Sequence, residues 1–235
     1  MAPDLPVILL AAGRGERLRP LTDDRPKAMV EVAGEPLATR ALRHLASAGL
    51  DRVVAVTGWR ADAMEDLPCE ALYNERWDTD NNVVSLWAAR DLVAEGCFVV
   101  NCDVIFQQQV AMRLAGLTGT RLLVDGSREL DAEAMKAEVV QGRLRRLSKR
   151  SAAESSAGEY IGLLRVDPAD GPRLAEILAE FVASGRTSVY YEDAIEALGH
   201  ERSVRAERID GLAWAEIDDH ADLAHAKQLF VREPA

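Results

Sequence analysis

Basic charge is what this chain has too little of. Its 28 Lys and Arg stand against 39 Asp and Glu, a formal net charge of -11, so it has no overall footprint for nucleic acid or an anionic membrane surface. Long apolar runs are also missing: none approaches the ~20 residues of a membrane span. The opening MAPDLP has neither the basic n-region nor the apolar h-region of a leader. Cysteines number three, at 69, 97 and 102, without a CxxC pair and without metal spacing to the four histidines. That excludes a disulfide framework and a thiolate zinc site, and reads as reduced core cysteines in a cytoplasmic protein. Internal repeats and linkers are absent too, so the 235 residues are expected to form a single domain over 1–235.

What is there is concentrated at the start. Val7 to Ala12 is an apolar run short enough to be only a buried strand, and it empties into a loop with Gly13 and Gly15. Arg14, Arg17, Arg19, Arg25 and Lys27 follow within fourteen residues. Backbone N–H groups approach an anion closely where no Cβ intervenes, and a downstream lysine adds a point charge, so this loop reads as a phosphate cradle. Arg19 and Arg25 read better as solvated or paired surface groups.

Further along, 36–48 has helical spacing closed by Gly49, and 51–57 is a second apolar strand, completing a βαβ unit. A short helix is expected over 60–67, a strand over 70–73, a loop over 73–82, a helix over 83–93 and a strand over 97–100. Its carboxyl end carries Asn101-Cys102-Asp103. Ligands of open α/β sheets sit outside the carboxyl ends of the strands, where Gly13, the 57–59 turn and Asp103 all fall. A helix over 107–115 precedes strands near 121–124, 137–140 and 143–148, with a hairpin turn at 141–143. The small polar stretch 151–159 is expected to be a mobile loop over the site. A strand at 160–166, helices over 170–183 and 191–198, strands at 203–209 and 214–217, and a helix over 220–230 with Asp219 as N-cap complete the pattern.

Taken together, the opening reads LAAGxGxRLxPLTxxxPKxxxxVxGxPL. It resembles the sugar-phosphate nucleotidyltransferase superfamily, whose members join a nucleoside triphosphate to a phosphorylated acceptor. The segments VTGW at 56–59, YNERWDTDNNVVSLW at 73–87, Met135-Lys136, LSK at 147–149, GEYIG at 158–162, YYEDAI at 190–195 and WAEIDDHADLAHA at 214–226 look like its small cytidylyltransferase branch, which includes phosphocholine, inositol-phosphate and phosphonate cytidylyltransferases. One departure is Cys102, where the branch has glycine before the strand-end aspartate.

The resemblance implies an α/β, Rossmann-like (glycosyltransferase-A-like) fold, a mixed, mainly parallel sheet between helices. It divides at about residue 110 into a nucleotide-binding and an acceptor-binding half. It implies that Leu10, Ala11, Ala12, Gly13, Arg14, Gly15, Gly58, Asn82 and Ser85 bind the nucleotide, CTP, and that Lys27 and Arg17 are catalytic. Asp103, Asp218 and Glu216 would hold Mg2+. Lys136, Lys149, Tyr160, Tyr191, Glu192 and Asp193 would take a small phosphorylated acceptor. Each has a plainer reading: Asp218 within a helix cap, Glu192 and Asp193 as first-turn acids, the two lysines as exposed strand residues.

The eight Trp and Tyr residues fall mostly inside the matched segments, and an aromatic cage holds quaternary ammonium by cation–π attraction, which favours phosphocholine as acceptor. Trp87 reads better as core. A phosphonate or inositol phosphate acceptor stays open, as do a hexose-1-phosphate nucleotidylyltransferase, a nucleotide-sensing regulatory domain and a homodimer.

Overall fold

Val7–Ala11 and Val53–Thr57 are buried at every position, as are the first four residues of Cys97–Asn101. Strands that are apolar on both faces belong in the middle of a sheet with helices on both sides. The computed structural model, which describes residues 4–230, has that architecture. In chain order its first elements are β1 (Val7–Ala11), β2 (Glu31–Val32), β3 (Glu35–Pro36), α1 (Leu37–Ser47), β4 (Val53–Thr57), β5 (Glu70–Tyr73), α2 (Asn82–Ala88), α3 (Arg90–Ala94) and β6 (Cys97–Asn101). Then come β7 (Val104–Phe106), α4 (Gln108–Ala115), β8 (Arg121–Asp125), β9 (Lys136–Val140), β10 (Arg143–Ser148) and β11 (Ser156–Val166). The last are α5 (Gly171–Ala183), α6 (Tyr191–Glu201), β12 (Arg205–Arg208), β13 (Trp214–Glu216) and α7 (His220–Phe230).

The sheet has a parallel centre, β5-β4-β1-β6, and a flank in which β11 runs antiparallel to β6, β8 and β9. Alternation along β1 sends Ile8 and Leu10 to the face covered by α2, α3, α5 and α6, and Val7 and Leu9 to the face covered by α1 and α4. A third apolar cluster, with Leu18, Val32, Ile105, Ile217 and Leu223, fastens the opening loop to α7. Because β1, β4 and β6 are parallel and in register, Ala11, Thr57 and Asn101 end on one rim, and the loops after them share it.

Several boundaries differ from the sequence-based expectation. The helix expected over 83–93 is two helices with a break at Ala89, whose ψ of 18° leaves the helical region. Over 60–67 the chain makes only a 3-10 turn, Ala61–Met64. The stretch 151–159 is not a free loop: Ala153–Ser155 is a 3-10 turn and β11 already starts at Ser156, pairing with β9. Cys97 and Cys102 are buried, Cys69 partly so, and all three are free thiols. No helix among the described residues is long and apolar enough to cross a membrane; the leader reading at residues 1–3 lies outside them.

Candidate active site

The loop after β1 turns back on itself. Gly15 lies in the left-handed region at φ 77°, and a Cβ there would sit 3.0 Å from that of Lys27, so the loop closes over the lysine stem only because this residue is glycine. Thr22 Oγ1 donates to the Gly15 carbonyl at 2.9 Å and Lys27 N–H donates to that of Gly13 at 3.3 Å, which holds the turn. Lys27 is thereby buried with its Nζ 2.9 Å from Asp103 Oδ2 and 2.5 Å from Asp218 Oδ1. Burial opposes its charge, but the two carboxylates outweigh burial and raise the lysine pKa.

Two three-residue strands bring those carboxylates together. β7 starts just after Asp103 and pairs antiparallel with β13, setting Val104 opposite Glu216, while Ile217 N–H donates to the Asp103 carbonyl at 3.0 Å. Asp218 then follows from the chain direction. It is not the helix cap: Asp219 accepts from the N–H groups of Ala221 and Asp222, and Asp222 accepts in return from those of Asp218 and Asp219. Partial burial works against ionisation of Asp218, yet Lys27 and Arg17 hold its pKa below the usual value. Lost hydration in the cleft and repulsion by Asp103 and Asp218 push the Glu216 carboxyl up to about 8, although part of that side chain meets solvent.

These three residues fit a divalent cation. One oxygen from each of Asp103, Glu216 and Asp218 lies within 4.8 Å of the others, and buried Asp103 Oδ1 has no hydrogen-bond partner. An all-oxygen set with few protein ligands suits magnesium better than zinc or copper.

Two clefts meet at Asp103. The first, of about 190 Å3, is lined by Leu10, Ala12, Gly13, Lys27, Asn82 and Ser85 among the expected residues. Trp77, Asp80 and Asn81, from the loop before α2, and Asn101, the last residue of β6, also line it; no periodic signal singles them out. The second, of about 290 Å3, takes Arg17, Lys149, Tyr160, Glu192, Glu216 and Asp218, together with Glu133, Met135 and Tyr190, which sequence reasoning did not select. A larger groove of about 570 Å3 beside α4 and β12 lies away from the three carboxylates.

Other expected residues stand elsewhere. Ala11 faces the α1 side of the core. Arg14 stacks 4.2 Å over Trp59 and pairs with Glu16 at 3.2 Å. Gly58 packs under Trp77, its place for a Cβ only 2.5 Å from that of the tryptophan. Lys136 is buried and donates to the carbonyls of Ala134 and Lys149, so it supports the second cleft from behind. Tyr191 is fully buried, its hydroxyl 2.8 Å from that of Tyr160 and 3.1 Å from Asn101 Oδ1. Asp193 lines a neighbouring groove with Arg146 and Arg150.

Glu192 is 5% exposed and its Oε2 has no hydrogen-bond partner among the described residues. Burial, with Asp103 and Asp193 adding repulsion, pushes its carboxyl up to about 8. The aromatic cage is not built: Trp59 tilts against Trp77 at 5.4 Å and donates to the Thr22 carbonyl, and Trp214 is core. Trp87 is partly buried against the core under Arg90. Tyr190 keeps an exposed ring, with Lys149 Nζ 5.8 Å from its centre.

A parallel sheet whose strand ends carry a glycine and cation loop opposite a carboxylate trio is the arrangement of the Rossmann-like nucleotidyltransferases. The chain belongs to the MobA-like NTP transferase domain family, whose model matches residues 7–147. It is 30% identical over 245 positions to a CMP-5'-(3-aminopropyl)phosphonate synthase of Streptomyces rubellomurinus, covering 95% of this chain but 38% of that protein. Identity to a 2-aminoethylphosphonate cytidylyltransferase of Lancefieldella rimae is 25% over 236 positions, 92% of this chain and 89% of that one. The fold matches the solved CTP:phosphocholine cytidylyltransferase from Streptococcus pneumoniae with a TM-score of 0.80 at 21% identity, over 95% of this chain and 98% of that one.

Proposed function

We propose that this chain transfers a cytidylyl group from CTP to a small acceptor carrying a phosphonate or phosphate at one end and a primary amine at the other, releasing pyrophosphate. The observation that carries the reading is the meeting of the two clefts at Lys27, Asp103 and Asp218. The donor half rests on the first cleft, where the Gly13 to Gly15 backbone takes the β- and γ-phosphates and Lys27 neutralises charge at the α-phosphate, with Arg17 reaching the phosphates from the second cleft. The acceptor oxygen attacks the α-phosphorus in line, the bond to the bridging oxygen breaks, and the pair leaves with pyrophosphate. An acceptor phosphonate is already ionised at neutral pH, so no general base is needed. Magnesium, when held by Asp103, Glu216 and Asp218, supplies the Lewis-acid charge that screens the two anions from each other.

For the acceptor, Glu192 supports one of the chemistries that the relatives' names span. Its buried Oε2 lacks a hydrogen-bond donor. A primary ammonium supplies N–H donors as well as charge, whereas a quaternary ammonium has none and depends on a cage of aromatic faces, for which this cleft offers the rings of Tyr160 and Tyr190 and no tryptophan among the described residues. This favours an aminoalkyl phosphonate or phosphate over phosphocholine, the acceptor expected from the aromatic count. Cytosine as the base rests on the names of the relatives.

A panel of CTP, UTP and dTTP against 2-aminoethylphosphonate, phosphoethanolamine, phosphocholine, propylphosphonate and glucose 1-phosphate, read by pyrophosphate release, tests both halves. CTP with an aminoalkyl acceptor is expected to give the highest kcat/KM. Glu192→Gln is expected to lower it by roughly 10- to 100-fold for the amine, the scale of a hydrogen bond to a charged group, and to leave propylphosphonate unchanged. Turnover with a sugar phosphate alone would remove the reading.

A further inference from the structure

The strand that carries Glu216 is short and stands apart from the main sheet: β13 has three residues and, among the described residues, pairs only with β7. A three-residue ladder is a weak anchor for a side chain that must meet Asp103 at a fixed distance. On its other side β13 is gripped. Trp214 Nε1 donates to Asp125 Oδ2 at 2.8 Å, so the last residue of β8 holds the indole. The Arg128 guanidinium donates through Nη2 to the Trp214 carbonyl, lies 4.3 Å over the indole ring, and pairs with Asp125 at 3.2 Å. Asp125 is itself 1% exposed and fixed by Ser127, whose N–H and hydroxyl donate to its other oxygen at 2.9 and 2.6 Å. One arginine thus holds both the main chain and the side chain of Trp214.

We infer that Arg128 is a positioning residue, which through Trp214 sets how far Glu216 and Asp218 reach toward Asp103. The transmission is geometric. Residues two apart on a strand lie on the same face, so a tilt of Trp214 carries Glu216 with it, and Asp218 is the second residue beyond the strand. Arg128 also lies in the segment 126–135 that brings Glu133 and Met135 to the acceptor cleft. The same side chain therefore ties one wall of that cleft to the carboxylates.

The sign of the effect separates positioning from simple electrostatics. Deleting a cation near three carboxylates tightens binding of a divalent ion if charge is all that matters, whereas releasing the strand weakens it. The probe is Mn2+ binding to the substrate-free protein, followed by electron paramagnetic resonance, with thermal unfolding of each variant alongside. Arg128→Ala and Arg128→Lys are both expected to weaken Mn2+ binding by roughly tenfold or more, the usual scale for residues behind metal ligands, because lysine keeps the charge but neither the planar stack nor the fork. Trp214→Phe keeps a ring and loses the indole donor, and is expected to fall between wild type and Arg128→Ala. Unchanged or tighter binding in the arginine variants overturns the inference, as does weakening that merely tracks lost folded fraction.

Naming a divalent ion rests on the cytidylyl-transfer reading, but the outcomes separate. Absence of turnover in wild type with weakened Mn2+ binding in the variants removes the function and keeps the clamp. Turnover with unaltered Mn2+ binding removes the clamp and keeps the function, and a wild type that binds no Mn2+ removes the clamp together with its metal site.

Discussion

Lys27 is buried between two carboxylates before any substrate arrives, so in the proposed reaction its orientation costs nothing at the moment of transfer. That is electrostatic preorganisation, and it is worth most in a cleft with little water. The arrangement also makes the lysine a competitor of the metal for Asp103 Oδ2 and Asp218 Oδ1. Lys27→Met is therefore expected to lower kcat by about 10²- to 10³-fold, the scale for a lost transition-state donor, while substrate-free Mn2+ binding becomes tighter. Weaker Mn2+ binding in that variant would mean that Lys27 supports the carboxylates in their places and does not compete for them. Arg17 differs: its side chain is 62% exposed, and a surface pair of that kind contributes little stability. It can leave Asp218 for a phosphate at small cost.

At the scale of elements, the first cleft, the proposed donor site, is a contact between turns. A Cβ at position 58 would meet Trp77 Cβ at 2.5 Å and the Ala12 carbonyl at 2.7 Å, and the carbonyl belongs to the central strand's exit and has little room to move. Gly58→Ala should push Trp77 across the first cleft, raising the KM for CTP by about tenfold and costing about 1–3 kcal/mol of stability, with the acceptor KM near wild type. An unchanged KM for CTP would show that Trp77 is not a donor wall. The parallel centre was legible because β1, β4 and β6 are unbroken apolar runs, and α1 because its spacing and Gly49 bound it. β7 and β13 were not paired in advance, since three residues are too few to display a period of two, although that pairing is what joins Asp103 to Glu216 and Asp218. Those carboxylates were picked out by resemblance, not by spacing. The break at Ala89 had no local signal either, alanine being the best helix former. Lys136 looked like an exposed strand lysine because nothing in its neighbourhood in sequence predicts that Lys149 would fold its carbonyl over the ammonium.

Across the whole molecule, the site's acidity has a consequence for stability. Glu192 has a folded pKa of about 8, above its ordinary value of 4.5, because burial and neighbouring carboxylates disfavour its charge. A group that binds its proton more tightly when folded adds stability where it is protonated in both states, and loses that contribution as pH rises from the unfolded to the folded value. The window is then about pH 4.5 to 8. Asp218, whose pKa is lowered, acts at more acid pH, and Lys27, whose pKa is raised, at more alkaline pH, so neither obscures this range. Glu216 and Glu159 work in the same direction, Glu216 more weakly than its raised pKa alone implies because solvent screens an exposed side chain. The ligand-free protein is therefore expected to lose at least about 5 °C of Tm between pH 5 and pH 8, taking a few kcal/mol over a chain of this length. Glu192→Gln removes the most deeply buried of these titrations and should flatten the curve by a clear fraction. Scanning calorimetry of both proteins in chelator-treated buffer reads the difference. A wild-type Tm that stays level or climbs over that interval would mean that Glu192 is charged and partnered in solution, and the case for a primary amine at its oxygen would go with it.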